Sequence, residues 1–242
     1  MFNNWISLLK TINPEISLVF SKDYVSANSM DPGKIILIDT IYKKFNFDHY
    51  EPPVKDLELC INLEELYERL RSVEEDEILS IEYDYILNKF IINFYKPDTE
   101  RLRIFRMAPI DYSIPYSDLP EIKPTTEISL MMSDFDRAIG DCALVSETII
   151  FKTQKEDADT LHIIAEGDTG DAEIKISGFE GRLTEDSLSM YTINYLKEII
   201  NPLKQLTNVL TLSFSTDDPL QITVNSQVEI FELSIFLAAV IK

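Results

Sequence analysis

The chain has 242 residues, with 42 acidic and 22 basic side chains, and its formal net charge is −20. Proteins that grip nucleic-acid phosphates usually carry a basic stripe or domain, because binding neutralises phosphates and releases counterions. The charge therefore excludes tight groove binding of nucleic acid, and a hydrophobic fraction of 45% excludes a disordered chain. The length allows one large domain or two of about 100 to 120 residues.

Targeting segments and cysteine pairs are not expected. The longest clean apolar run extends from Ile235 to Ile241, far short of the roughly 20 residues that span a bilayer. The N-terminus lacks the basic start, long apolar stretch and small-residue cleavage site of a secretory signal. Cys60 and Cys142 cannot build a disulfide framework, so we expect both to be buried and reduced.

Four segments carry apolar residues at helical spacing. Their predicted buried stripes are, in chain order, Trp5, Leu8, Leu9 and Ile12; Leu63, Leu66 and Leu70; Phe135, Ala138, Ile139 and Cys142; and Ile193, Leu196, Ile200 and Leu203. The run Glu74 to Glu77, after the second helix, is interpreted as a solvated charge run that joins the helix to a strand.

Strands are predicted by alternation or by β-branched content. They are Ser17–Phe20, Lys34–Ile41, Leu57–Ile61, Ile78–Tyr83, Phe90–Tyr95, Leu102–Met107, Glu127–Met132, Thr148–Lys152, Leu161–Ala165, Ala172–Ser177, Leu188–Thr192, Val209–Phe214, Leu220–Val224 and Val228–Phe236. Few of them are joined by helices, which favours an α+β fold with antiparallel sheets.

An internal repeat of helix, strand and strand recurs after about 130 residues. Leu63 corresponds to Ile193, and Leu66 corresponds to Leu196. Between the copies, residues 108–125 contain four prolines, which disfavour both helix and sheet. We therefore expect two similar half-domains of antiparallel sheet with two helices each, residues 1–107 and 126–242, joined by an extended connector at 108–125.

Catalytic and phosphate-binding motifs are missing from the sequence: no P-loop, GxGxxG, HExxH, CxxC or GxSxG pattern occurs. His49 and His162 stand alone and are interpreted as surface or satisfied histidines. Carboxylates could hold Mg²⁺ in a metal-dependent hydrolase of α+β fold, although their surroundings favour turns. These carboxylates are Asp168, Asp171, Asp217 and Asp218.

Several strings, in order along the whole chain, resemble the trimeric DNA sliding clamps, the proliferating-cell nuclear antigen family. The most telling is Ser29-Met-Asp-Pro-Gly-Lys-Ile-Ile-Leu. Supporting strings are Tyr195-Leu, Leu210-Thr-Leu-Ser, Asp218-Pro-Leu and the terminal Phe236-Leu-Ala. No single string is decisive, but their order and spacing together are fairly specific.

The resemblance implies a ring that holds duplex DNA topologically, as a processivity factor and docking platform without catalysis or cofactor. Implied partners are duplex DNA, sister clamp subunits, DNA polymerase, the clamp loader ATPase, flap endonuclease and DNA ligase, the enzymes docking through short peptide motifs. The implied location is the cytoplasm, at the nucleoid, in an archaeon, or the nucleus in a eukaryote.

Three sets of residues take roles from the resemblance. The DNA-facing cations would be Lys10, Arg69, Arg71, Arg137, Lys197 and Lys204. The partner-peptide pocket would be formed by Met30, Ile35, Leu37, Leu119, Ile122, Pro219, Phe236, Leu237 and Ala238. The subunit interface would pair Leu102, Ile104 and Phe105 with Ala172, Ile174 and Ile176 of the neighbouring subunit.

The sequence also departs from the family pattern. The segment before Ser29 is several residues short, so the first strand or the first helix is expected to be trimmed. Ala239 stands where the family usually has proline, and Gly140 occupies a channel-helix position often filled by a cation. With acidic residues also on these helices, the pattern suggests a divergent clamp, such as one subunit of a heterotrimer or a checkpoint-type clamp.

Overall fold

The computed structural model describes residues 1–112, 114–225 and 231–241, in which four α-helices and sixteen β-strands form. The helices are α1 (Phe2–Ile12), α2 (Leu63–Leu70), α3 (Met132–Cys142) and α4 (Ile193–Leu203). The strands are β1 (Glu15–Phe20), β2 (Tyr24–Met30), β3 (Ile36–Lys43), β4 (Leu57–Asn62), β5 (Ile78–Asp84), β6 (Lys89–Lys96), β7 (Arg101–Met107), β8 (Thr126–Met131), β9 (Thr148–Gln154), β10 (Asp157–Gly167), β11 (Gly170–Ser177), β12 (Glu180–Leu183), β13 (Ser187–Thr192), β14 (Val209–Phe214), β15 (Leu220–Asn225) and β16 (Phe231–Leu237).

Each helix forms because one stripe of apolar residues recurs every three or four positions and is buried. In α2 the stripe is Leu63, Leu66 and Leu70. The helix starts where the Oδ1 atom of Asn62 accepts a hydrogen bond from the Glu65 backbone N–H at 2.9 Å. The stripes predicted for the other three helices are buried as well, so all four helix predictions are confirmed.

The strands form three antiparallel sheets. A nine-stranded sheet has the order β12-β8-β14-β15-β16-β3-β2-β1-β4, a four-stranded sheet the order β11-β10-β9-β13, and a three-stranded sheet the order β5-β6-β7. Strands from both sides of the connector meet in the large sheet, where β16 pairs with β3 and Ile235 lies opposite Ile38. The α+β class with antiparallel sheets is confirmed.

The four helices lie side by side in the order α2, α1, α4, α3. The ammonium of Lys10 lies 4.8 Å from the centre of the Tyr67 ring, which links α1 to α2. The side-chain amide of Asn4 donates to the Gln205 carbonyl at 3.3 Å, just beyond α4. One buried apolar cluster, including Trp5, extends beneath this helix row and between the sheets.

Three of the four helices directly follow a strand, and each begins with the same hydrogen bond. The first backbone N–H of α2, Leu63, donates to Pro14, which precedes the neighbouring strand β1. The first N–H of α3 donates to Asn208 in the same way, and that of α4 donates to Glu147. In the described residues α1 lacks a preceding strand, although the helix itself has eleven residues. The first helix therefore has the same length as α3 and α4.

Two strands were not predicted. In β2 the buried positions are Val25, Ala27 and Ser29, so small and polar residues hide the alternation. Ser29 and Met30 are the last two residues of β2. The string that begins at Ser29 therefore includes the end of one strand as well as the approach to the next. The four residues of β12 carry no apolar alternation. Of the predicted strand Val228–Phe236, positions 228–230 lie outside the described residues.

Candidate functional site

The six cations predicted to face DNA all lie on the helix row or at its ends. Four of them contact neighbouring side chains: Lys10 lies over the Tyr67 ring, and Arg69, Arg71 and Lys204 form ion pairs with Glu65, Glu68 and Asp136 at 3.0 to 3.2 Å. Arg137 is exposed and Lys197 is half-buried, and neither has an ion-pair partner in the part of the chain that the structure describes.

The helix row is close to electrically neutral. Counting the C-cap residues Arg71 and Lys204, it carries seven acidic and six basic residues, so all but one unit of the net charge of −20 lies elsewhere. An anion approaching the helices therefore meets far less repulsion than one approaching the sheets and loops. The helix row is the face on which DNA would be tolerated.

The connector lies against the outer face of the large sheet and is held by hydrogen bonds at its middle and at its C-terminal end. Ser117 N–H donates to Asn28 Oδ1 at 2.8 Å, and the Asn28 side chain donates back to the Ser117 carbonyl at 3.2 Å. Further along, Thr125 N–H donates to Ser215 Oγ at 3.1 Å. Leu119 and Ile122 lie between these attachments, Leu119 39% exposed and Ile122 half-buried.

Most of the predicted pocket residues are neighbours on this face. Met30, Leu37 and Phe236 lie in one row across β2, β3 and β16, and both Leu37 and Phe236 are buried outside the main core. Ala238 N–H donates to the Ile35 carbonyl, and Pro219 directly precedes β15. Leu237 was assigned incorrectly: it is fully buried in the main core, because successive side chains of a strand point to opposite faces.

Two surface cavities lie elsewhere, beside β4. One, of about 390 Å³, is lined by Val54 to Leu57 and Tyr85. The other, of about 340 Å³, is lined by residues of β4, the β5–β6 hairpin and the start of the connector, including Tyr83, Asn88 and Tyr112. Sequence reasoning missed both, because they form between elements distant in the chain.

The predicted interface residues occupy two free sheet edges. Among the described strands, β7 pairs only with β6, and β11 pairs only with β10. On the inner faces Phe105 and three side chains of β11 are partly buried against the core, whereas Leu102 and Ile104 point outward and are 53% and 40% exposed. The three side chains of β11 are Ala172, Ile174 and Ile176. The two strands lie in different sheets, so one chain cannot pair them with each other.

An ion-pair network at the start of β7 was missed. The Glu77 side chain is fully enclosed; Arg103 Nε donates to its Oε1 at 3.1 Å, and Arg101 Nη2 donates to the same oxygen at 3.2 Å. The hydrogen bond from Arg103 lowers the pKa of Glu77 to about 2. Arg103 also donates to the Ser72 carbonyl at 2.9 Å. The interpretation of Glu74 to Glu77 as a solvated run is therefore wrong for Glu77.

The histidines and cysteines lie as predicted. His49 is exposed, and His162 is buried between Glu173 and Asp157 at 2.9 and 3.2 Å. The hydrogen bond with His162 lowers the pKa of the Glu173 carboxyl. Cys60 and Cys142 are free and buried, and burial raises the pKa of the Cys142 thiol to about 11.

The carboxylates considered for a metal occupy turns, as their composition favours. Asp168 lies in the β10–β11 turn, beside Asp171 at the start of β11. Asp217 lies in the β14–β15 turn with φ at +57°. Across residues 1–112, 114–225 and 231–241, no group of three or more His, Cys, Asp or Glu side chains could hold a metal ion.

Two related halves, one row of four helices, and antiparallel sheets that leave β7 and β11 free place the chain in the DNA-clamp class of α+β folds. A crystal structure of PCNA from Thermococcus kodakaraensis superposes with a TM-score of 0.87, covering 99% of this chain and 96% of that one at 18% identity. The fold predicted from the sequence is confirmed.

Sequence comparison identifies the family. The DNA polymerase sliding clamp of Thermococcus gammatolerans is 31% identical over 227 residues, covering 91% of this chain and 87% of the relative. That of Nitrosopumilus maritimus is 23% identical over 222 residues, covering 90% and 86%. No family model matches the chain. The chain belongs to the DNA polymerase sliding clamp family, which is not enzymatic, and functions as a clamp subunit. Among the described residues, none of the helices has the length and apolar character needed to cross a bilayer.

Proposed function

We propose that this chain is one of three subunits of a closed ring that encircles duplex DNA and holds a DNA polymerase on it. Family membership supports the clamp role. The observation that supports the ring is the pairing of β16 with β3, which joins the two halves of the chain. We call this pair the internal joint.

In the internal repeat, the strands that correspond to β16 and β3 do not pair with each other, and each has a free edge among the described strands. β6 and β7 pair as β15 and β16 do, and β10 and β11 pair as β2 and β3 do. β7 therefore corresponds to β16, and β11 corresponds to β3. A head-to-tail contact between β7 and the β11 strand of the next subunit repeats the internal joint, and such contacts close into a ring when the rotation allows.

The internal joint also sets the register of the proposed interface. Ile235 lies opposite Ile38 in the β16–β3 pair, and their counterparts are Phe105 and Ala172. With Phe105 opposite Ala172, Arg106 falls opposite Asp171, and opposite charges directly across a strand pair are favourable. Both side chains are exposed in the single chain. Pairing would also satisfy two strand edges that otherwise invite aggregation.

A charge exchange tests this ring. Arg106→Asp and Asp171→Arg should each shift the assembly toward smaller species in light scattering at low micromolar concentration. The mixture of the two variants, or the double variant, should restore it. Arg182→Asp, an exposed change on β12, is the control. The same interface also serves a heterotrimer, so measurements include candidate sister subunits. Species that remain monomeric in all mixtures would contradict the ring.

Retention on DNA is proposed to be topological. The nearly neutral helix row faces the channel, and its cations contribute little binding energy, so dissociation requires the ring to open. The chain should raise polymerase processivity on primed circular DNA only after the clamp loader ATPase has closed it. Linearising the template should release the ring, whereas retention on linear DNA with free ends would contradict topological holding.

The groove beneath the connector is the proposed docking site for the short motifs of DNA polymerase, clamp loader, flap endonuclease and DNA ligase. An apolar groove beside a flexible polar rim suits peptide docking. Ile122→Asp should abolish binding of an aromatic-anchored motif peptide while the assembly stays intact. Leu144→Asp, at an 85% exposed position after α3, is the matched control. Unchanged peptide affinity of Ile122→Asp would refute the groove. We place this activity at the nucleoid, in the cytoplasm, because the relatives are archaeal.

A further inference from the structure

The helix row ends in α2 on one side and in α3 on the other. Among the described helices, α1 and α4 lie between them. In the ring proposed above, α2 of one subunit lies beside α3 of the next, because α2 corresponds to α4 and α3 corresponds to α1. The contact between α4 and α1 within the chain therefore shows which residues meet across the ring.

The contact within the chain uses a hydrogen-bond donor that the contact across the ring lacks. Asn4 of α1 donates its side-chain amide to the Gln205 carbonyl at 3.3 Å. Trp5 of α1 corresponds to Phe135 of α3, so Asn4 corresponds to Asp134. An ionised carboxylate accepts hydrogen bonds but cannot donate them. Asp134 therefore cannot repeat the bond that Asn4 makes.

The segment that Asp134 of a neighbouring copy would face is acidic. Counted from α2, the residue that corresponds to Gln205 is Glu75, and counted back from β5 it is Glu74. Glu74 is paired with basic side chains on either side of the β6–β7 turn. Glu75 and Asp76 are exposed and have no ion-pair partner among the described residues. With a second copy as neighbour, a carboxylate would therefore approach a carbonyl and two acids, and like charges repel.

The flank of α3 that faces away from α4 carries a second acid. Asp136 faces α4, where its carboxylate pairs with Lys204 at 3.2 Å. Successive residues turn about 100° around a helix, so Asp134 and Asp141 lie roughly 160° and 140° around α3 from Asp136. Both are exposed, and neither has an ion-pair partner in the part of the chain that the structure describes. This flank of α3 therefore presents two carboxylates to the neighbouring subunit.

The flank of α2 that faces the neighbour carries a cation that its own helix already holds. Tyr67 faces α1, and Arg69 lies about 160° around α2 from it. The counterpart of Arg69 on α4 is Ile199, which is fully buried. The Arg69 guanidinium donates to the Glu65 carbonyl at 2.6 Å and to the Glu65 carboxylate at 3.0 Å. A buried apolar side chain inside the chain is thus replaced at the ring by an arginine that is already paired.

We propose, on the premise of the ring described above, that the preferred neighbour at both ends of this chain is a sister clamp subunit and not a second copy. The sister carries basic side chains at the counterparts of Asp134 and Glu75. At one end, a lysine or arginine in its third helix donates to residues 74–76 of this chain. At the other end, basic residues after its second helix pair with Asp134 and Asp141. Such specificity combines attraction to the right partner with repulsion of the wrong one.

The strand pairing leaves this choice to the helices. Phe105 and Met107 of β7 point inward, so Arg106 lies on the outer face of its sheet, away from the helix row. Its proposed pairing with Asp171 is available to a second copy and to a sister subunit with the same strand residues. The helix contact therefore discriminates between neighbours that the strand edges accept equally.

The test reverses the charge at one end of this chain and measures self-association by light scattering over a dilution series. The variant combines Glu75→Lys with Asp76→Asn, and asparagine is chosen at 76 because φ is +66° there. We expect half-assembly at a concentration about tenfold lower than for the unsubstituted chain, because a like-charge contact becomes an attractive one. The control combines Glu127→Lys with Asp218→Asn, an equal charge change at exposed positions in or beside the large sheet, and should shift nothing.

Two further variants act on the opposite end. Asp134→Asn restores the donor that Asn4 uses and should strengthen self-association about threefold. Asp134→Lys should strengthen it further, but Asp134→Lys added to the Glu75→Lys, Asp76→Asn chain brings cations together and should cancel the gain. Such cancellation is expected where the two sites face each other across the ring. In 1 M salt, where the screening length is about 3 Å, the advantage of the charge-reversed variant should disappear.

Three outcomes would overturn the proposal, and they separate it from the ring itself. If Arg106→Asp weakens assembly while the charge reversal at 75 and 76 changes nothing, the ring stands and the preference for a sister subunit fails. If neither change affects assembly, the ring fails and the preference fails with it. If Asp134→Lys and the charge reversal strengthen assembly additively, the two sites do not face each other, and this contact does not select the neighbour.

Discussion

β5 and β14 are counterparts with closely similar sequences, but they experience different surroundings. Ile78-Leu-Ser-Ile-Glu-Tyr and Val209-Leu-Thr-Leu-Ser-Phe share one apolar alternation. The inner side chains of β14 are sealed between β8 and β15. Among the described strands β5 has one neighbour, and its inner side chains remain partly exposed. The comparison teaches that an apolar pattern specifies which face turns inward, while the number of neighbouring strands decides how much is buried.

The two halves also secure the start of these strands by different means. In the second half, Asn208 accepts the first N–H of α3 through its backbone carbonyl. In the first half the equivalent residue, Glu77, is held through its side chain by Arg101 and Arg103. A charge network thus anchors the start of β5.

The largest expected effect comes from truncating the corresponding inner side chain on each strand. Leu212→Ala empties a fully buried position and should lower the free energy of unfolding by about 2 to 5 kcal/mol. Ile81→Ala should cost less than half as much, because solvent already reaches that side chain. Urea denaturation measures both. Equal costs would break the comparison.

The charge network gives the first half an acid-sensitive component of stability. The pKa of Glu77 is lowered from 4.5 to about 2, so its ion pairs stabilise the folded chain above pH 4.5, and this stabilisation is lost as the pH falls from about 4.5 toward 2. Glu77→Gln should flatten the dependence of the unfolding midpoint on pH in that window. A slope that is unchanged in the variant would contradict this role.

The sequence was sufficient for elements with strong periodicity and insufficient where neighbours decide. The four helices follow from leucine- and isoleucine-rich stripes, but β2 was missed because its inward residues include Ala27 and Ser29. In an unbroken apolar run, the sequence alone does not show which side chains point to the core and which to the outer face of the sheet. Phe236 and Leu237 are adjacent and apolar, and only the sheet register places the first on the outer face and the second in the core.

Charge was the other limit, since composition cannot place ion pairs. Glu77 is indistinguishable in sequence from its solvated neighbours Glu75 and Asp76, and its enclosure follows from the approach of β7, which lies some 25 residues further along the chain. Similarly, three of the predicted DNA-facing cations form ion pairs with acids on the helix row. Arg137 and Lys197, which have no ion-pair partner among the described residues, could be distinguished only once the helices were placed.

The smallest expected effect concerns the helices that follow β4 and β13. α2 begins with a side-chain cap, since Asn62 accepts from Glu65 N–H, whereas the equivalent Thr192 of α4 makes no such bond. Asn62→Ala should therefore cost about 1 kcal/mol, and Thr192→Ala clearly less. The reason is length: α2 has eight residues and α4 has eleven, so the shorter helix depends more on its end. Thermal denaturation of the two variants provides the measurement, and a larger loss for Thr192→Ala would reverse the expected dependence on capping.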